Sequence, residues 1–178
     1  MVAPLLAPTL SPAVSAPTRL RVPDLLQATD RCADDVLSGR YDRLLAGARL
    51  PTDERWYNRL YGDDELDIWL ISWVPDKSTE LHDHGGSLGA LTVVSGALQE
   101  TRWDGHGLRS RELTAGDQAG FPLGWVHDVV WAPAPNPAPV TLSVHAYSPP
   151  LSAMSYYGVT ERNTLRRSRT ELTDAPEG

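Results

Sequence analysis

The sequence predicts an all-β barrel or sandwich preceded by helices, and three observations carry that prediction. From Trp56 onward the chain breaks into short β-type runs separated by Gly, Pro, Asp and Asn, the texture of many strands joined by close turns. Ahead of them, residues 23–47 hold apolar side chains at helical spacing. Among the runs lie two histidine-bearing blocks, Leu81-His82-Asp83-His84-Gly85-Gly86-Ser87 and, about 40 residues later, Gly116 with Pro122, Leu123, Gly124 and His127. The strands of one barrel can return such blocks to the same end.

Residues 1–20 are expected to be a disordered arm: Ala, Pro, Leu and Ser dominate, no basic region precedes the apolar stretches, and prolines interrupt them. The helical region opens at Pro23, a residue suited to a first turn. Leu25, Leu26, Val36, Leu37, Leu44 and Leu45 are its apolar positions, and Pro51 and Asp53 close it. Strands are expected at residues 67–74, 88–94, 97–103, 109–113, 126–131 and 140–147, with a closing strand at 156–159. Ser95-Gly96, Asp104-Gly105 and Ala115-Gly116-Asp117 mark turns between them. One domain over residues 21–160 is therefore expected, followed by a flexible tail at 161–178, where the sequence turns polar.

With 178 residues and 41% apolar content the chain can bury one sizeable core. A formal charge of −7 argues against nucleic acid or an anionic membrane as the main partner, since either calls for a basic surface. No apolar run reaches the ~20 residues of a membrane span. Cys32 is the single cysteine, which excludes an internal disulfide framework and favours a reducing, cytoplasmic setting. Its place in the helical region reads as that of a small buried hydrophobe.

Two histidines one residue apart on a strand point the same way, so His82 and His84 can both reach one ion, and His127 supplies a third imidazole. Satisfied surface histidines are the plain alternative, yet three of only five histidines fall in the two blocks. Such ligands suit Fe, Zn, Cu or Ni. Ser143, His145 and Tyr147 alternate along one run and share a face, as a polar stripe outside the barrel or as a hydrogen-bonded relay within it. Arg59, close to Asp63, Asp64 and Glu65, reads by itself as a member of a surface ion pair. His106, between Gly105 and Gly107, is expected in an exposed turn, and Asp83 behind a ligand histidine.

The paired blocks resemble the two motifs of the cupin superfamily, which implies a double-stranded β-helix, or jelly-roll barrel. Many cupins place a glutamate ligand where Gly89 stands here, so three neutral imidazoles and no carboxylate would face the metal. The likeness is closer still to the cysteine dioxygenase family of non-haem iron thiol dioxygenases. Tyr57-Asn58-Arg59, His82-Asp83-His84 and Ser143-Val144-His145-Ala146-Tyr147-Ser148-Pro149-Pro150 carry it, over roughly residues 55–160.

That resemblance implies His82, His84 and His127 as ligands of Fe(II), and Ser143, His145 and Tyr147 as the relay beside it. It also implies a cis Ser148-Pro149 bond and Arg59 as the group that holds the substrate carboxylate, with Tyr57 beside it either assisting or only packing. The implied reaction joins L-cysteine and O2 to give cysteine sulfinic acid, with Tyr147 positioning oxygen and sulfur. Animal members carry a cysteine at the position of Gly89 that crosslinks to the relay tyrosine; glycine cannot form that crosslink. Family branches use other small thiols, such as 3-mercaptopropionate, and tend to replace the carboxylate-binding arginine by glutamine, so Arg59 leans toward cysteine. Cysteamine is a further candidate substrate. A metal-binding cupin that senses a ligand without turning it over is the alternative from a different class, and the relay speaks against it. The protein is expected to act as a monomer on a small thiol and O2, with neither nucleic acid nor membrane as partner.

Overall fold

The computed structural model describes residues 19–48, 50–134 and 138–176. Apart from Arg19 and Leu20, the expected N-terminal arm lies outside the described residues. Helix α1 (Val22–Leu37) opens with Pro23 in its first turn, and the Arg21 amide donates to the Asp24 carboxylate at 2.8 Å, the reciprocal bond of a capping box. It ends at Ser38, beyond which Gly39 takes φ +86°, a conformation that glycine adopts without steric cost. A short helix, α2 (Asp42–Ala48), follows.

Eleven strands succeed it: β1 (Trp56–Gly62), β2 (Asp67–Trp73), β3 (His82–Asp83), β4 (Leu88–Ser95), β5 (Ala97–Trp103), β6 (Leu108–Thr114), β7 (Gln118–Phe121), β8 (His127–Ala132), β9 (Thr141–Ser148), β10 (Ala153–Val159) and β11 (Leu165–Leu172). A five-stranded sheet runs β1-β2-β9-β4-β7 and a six-stranded sheet β11-β10-β3-β8-β5-β6. All the pairings are antiparallel. Facing each other, the two sheets make the all-β double-stranded β-helix that the sequence predicts.

Every residue of β2 and β9 is buried, because the five-stranded sheet is covered on both faces. On its outer face α1 lays Leu25, Cys32, Ala33 and Val36 onto Leu70, Ala90, Val144 and Ala146. The alternate residues Trp69, Ile71, Trp73, Leu91 and Tyr147 turn into the barrel core. Each such large apolar side chain contributes roughly 1.5–3 kcal/mol when fully buried.

The strands expected between residues 67 and 147 appear as β2, β4, β5, β6, β8 and β9, each within one residue of its expected bounds, whereas β10 starts at Ala153 rather than at residue 156 and β1 lies where no strand range is expected. The expected loose tail is corrected over residues 165–172, which form β11 and pair with β10 from Val159 opposite Leu165 to Ala153 opposite Leu172. An edge strand is held by backbone bonds, and its polar side chains can extend into water. The polar sequence therefore hid it. No helix among the described residues is long and apolar enough to cross a membrane.

Candidate active site

His82 on β3 lies directly opposite His127 on β8. His84 follows β3 in a tight turn, where Gly85 takes φ +58° and a Cβ would come 3.0 Å from the Ala153 carbonyl oxygen. Glycine is required there. Asp83 braces the same turn, its carboxylate accepting from the Gly85 amide at 2.9 Å and from the Tyr157 hydroxyl at 2.7 Å. It does this instead of backing a ligand histidine.

The three imidazole rings form a nearly equilateral triangle, with centroids 5.0, 5.1 and 5.2 Å apart. One ligand atom from each lies within 4.8 Å of the others. His82 Nδ1 is 2.8 Å from the Glu80 carbonyl oxygen, and His127 Nδ1 is 3.1 Å from the Glu100 carboxylate. A carbonyl and a carboxylate only accept, so both rings carry their proton on Nδ1 and leave the Nε2 lone pair for the cluster. His127 Nε2 is buried with no hydrogen-bond partner, an orphan that a metal ion would satisfy. Burial, reinforced by the neighbouring imidazoles, lowers His82 to about 3 and His84 well below its ordinary value. His82 and His84 are therefore neutral near neutral pH, and with the His127 Nε2 lone pair they present three nitrogen donors that fit a divalent transition metal.

Glu100 stands at this site and is absent from the sequence analysis. It is fully buried on β5 and accepts from Arg111 Nε at 2.6 Å and from Trp125 Nε1 and His127 Nδ1, each at 3.1 Å. Burial raises its carboxyl, but the bonds from His127, Trp125 and Arg111 outweigh that and hold it at about 2. The carboxylate absent from the ligand set thus stands behind one of the ligands. At Gly89 a Cβ would lie 2.9 Å from the Phe121 ring. Phe121 fills the space that a glutamate ligand would need.

Across the cavity, Ser143, His145 and Tyr147 project inward from β9. Ser143 Oγ is 2.9 Å from His145 Nε2, and the Tyr147 hydroxyl is 3.4 Å from His145 Nδ1. Trp73 lengthens this chain, its Nε1–H donating to Ser143 Oγ at 2.8 Å. An indole only donates, so the buried Ser143 hydroxyl places its own proton on the bond to His145 Nε2. The neutral imidazole then carries its proton on Nδ1, toward the Tyr147 oxygen. Burial, reinforced by the positive charge of Arg55, keeps His145 neutral by lowering it to about 3. The Ser148-Pro149 bond is cis.

The cavity that holds the three histidines, His145 and Tyr147 is also lined by Arg55, whose guanidinium lies 4.9 Å from the Trp73 ring. Arg55 borders an outer cavity as well, with Glu54, Tyr57, Lys77 and Ser78. Arg59 is placed differently. Its guanidinium sits 4.6 Å from the Trp69 ring, and its Nη2 donates to the Asp174 carbonyl at 2.8 Å. Tyr57 meets the same indole edge-on, with centroids 5.9 Å apart. The structure therefore brings Arg55, rather than Arg59 or Tyr57, to the histidine cavity. Arg55 precedes β1, where no alternation marks it in the sequence.

A buried three-histidine cluster, drawn from the paired strands β3 and β8 and the turn after β3 of a double-stranded β-helix, has the geometry to hold a metal ion in a cupin barrel. A model of the cysteine dioxygenase type I family matches residues 10–160, and the chain belongs to that family of thiol dioxygenases. Among solved structures it is similar to KdgF from Halomonas sp., at 18% identity over 55% of this chain and 82% of that one, with a TM-score of 0.46. It is also similar to a cupin superfamily protein from Desulfitobacterium hafniense, at 13% identity over 55% and 80%, TM-score 0.46. A protein with a double-stranded β-helix domain from Klebsiella pneumoniae matches at 17% identity over 70% and 89%, TM-score 0.46.

Proposed function

We propose that the protein is an Fe(II)-dependent dioxygenase that adds both atoms of O2 to the sulfur of L-cysteine, giving cysteine sulfinic acid. The observation that carries this reading is the convergence, in one buried cavity, of three imidazoles, the Tyr147 relay and the guanidinium of Arg55. Iron held by His82, His84 and His127 would supply the Lewis acidity that favours thiolate over thiol and the redox chemistry that O2 requires.

The remaining roles belong to the chain. Arg55 offers a guanidinium fork for the substrate carboxylate, a geometry that a carboxylate matches with two parallel hydrogen bonds. Its position in the cavity supports it over Arg59 for this role. Tyr57 and Lys77, in the outer cavity beside Arg55, would guide the carboxylate inward. With the His145 proton directed toward its oxygen, Tyr147 presents its hydroxyl to the reacting atoms and positions them. Trp73 and Ser143 hold that orientation from behind. Apolar Ile71 and Met154 line the cavity and limit water around the sulfur.

Oxygen uptake by the iron-loaded protein, offered L-cysteine, 3-mercaptopropionate and cysteamine separately, tests the reading. Fastest uptake with L-cysteine, and a product heavier by two oxygen atoms, supports it. Faster turnover of another thiol keeps the chemistry and changes the substrate. No uptake with any thiol, despite bound iron, leaves a metal-binding cupin without this activity.

A further inference from the structure

We propose that the segment Thr173–Pro176, which follows β11, is the outer wall of the histidine cavity and sets the upper size of the thiol admitted, with Arg59 as the latch that holds it down. This inference rests on the thiol cavity proposed above.

Over β11 the chain is almost wholly exposed, and Leu172 is 90% exposed. Four residues later Pro176 is buried and lines the same cavity as His82, His84, His127 and Tyr147. Between them the chain turns inward. The Thr173 amide donates to the Ser152 carbonyl at 3.2 Å. Thr173 Oγ1 donates to the Ala175 carbonyl at 2.9 Å and accepts from the Ala175 amide at 3.2 Å, a local turn of the kind serine and threonine favour. Ala175 packs on the core cluster that contains Trp69, Ile71, Trp73 and Met154.

Arg59 joins this segment to the opposite sheet. Its guanidinium rests over Trp69, and its bond to the Asp174 carbonyl spans 115 residues of sequence. The acceptor is a backbone oxygen, so the latch is independent of the side chain at position 174. A small apolar wall at Pro176 leaves room for a short thiol and excludes a longer one, since one extra methylene in a closed cavity can change discrimination by roughly 10–200-fold. Arg59 acts through the segment and is a positioning residue.

The test uses the full chain as wild type, Arg59→Met and Pro176→Gly, loaded with Co(II) as the spectroscopic probe. Amide hydrogen exchange at Thr173 and Ala175 reads the latch, and thiolate-to-metal absorption reads the affinity for cysteamine, L-cysteine and L-homocysteine. Loss of one charge-assisted bond should speed exchange in Arg59→Met about 10-fold. The homocysteine-to-cysteine affinity ratio should rise about 10-fold in both variants, with cysteine and cysteamine changing alike. Unchanged exchange and an unchanged size ratio in Arg59→Met would overturn the proposal. So would weakening confined to the carboxylate-bearing thiols, which would make Arg59 a substrate ligand. A wild type that binds thiols but oxidises none would sink the dioxygenase reading alone, because exchange and affinity ratios would still decide the wall.

Discussion

The two sheets bring different chemistry to the cavity between them. The six-stranded sheet, with the turn after β3, supplies His82, His84 and His127 and, behind them, the ionised Glu100. The five-stranded sheet supplies Trp73, Ser143, His145 and Tyr147, uncharged groups joined end to end by hydrogen bonds. One side is built to hold a cation, the other to fix where a hydroxyl proton points. Metal retention and turnover should therefore separate by sheet, because a substitution on one side leaves the other side's groups in place.

The sharpest separation is expected from His127→Ala and His82→Ala. Either should reduce metal retained after chelation and desalting from about one ion per chain to almost none, with loss of all turnover. Retention of a full equivalent would remove the six-stranded sheet from the metal-holding role.

Acid tests what both sheets share, a set of buried neutral imidazoles. His82 and His145 are lowered to about 3 and His84 well below its ordinary 6.5, with burial as the leading cause. The unfolded chain therefore binds more protons than the folded one between these limits. Stability of the metal-free protein should be fully present above about pH 6.5 and fall as pH drops toward 3, by at most about 4 kcal/mol per pH unit if all three contribute. Denaturant midpoints across that range measure it, and a flat profile would mean that none of the three rings is held neutral in the fold.

Tyr147→Phe should lower kcat about 100-fold, the scale of one lost donor aimed at reacting atoms, while metal content stays full. Loss of the metal together with turnover would erase the division between the sheets. Glu100→Gln keeps the shape and removes the charge behind His127. Metal affinity should fall 10–100-fold, as is typical when a partner of a ligand histidine is lost, and competition with a chromophoric chelator reads it.

Legibility in the sequence followed strand length and burial. The eight residues of β9 are long enough to show that positions 143, 145 and 147 share a face, so that grouping could be read directly. Strand β3 has only two residues and β7 four, too few for a period to register. His82 and His84 were legible only because the paired motifs placed them. Glu100 lacked any such marker: its signal was the alternation with Leu98 along β5, and a glutamate in a strand with neighbouring Thr101 and Arg102 reads as solvated. Burial and the three donors around it come from β6, β8 and the turn before β8, which lie apart from it in sequence. The motif points to Arg59 because it fixes residue types, whereas the approach of the chain into β1 fixes that Arg55 is the guanidinium at the cavity. His106 is exposed between β5 and β6, and Cys32 is buried on α1, as local composition alone implied.

The most direct test of the whole account is turnover of L-cysteine by the iron-loaded protein under heavy-isotope dioxygen, followed by the mass of the product. Two heavy oxygen atoms in cysteine sulfinic acid are predicted. A single heavy atom, or disulfide as the only product, would contradict a dioxygenase in which the two sheets bring metal and relay to one sulfur.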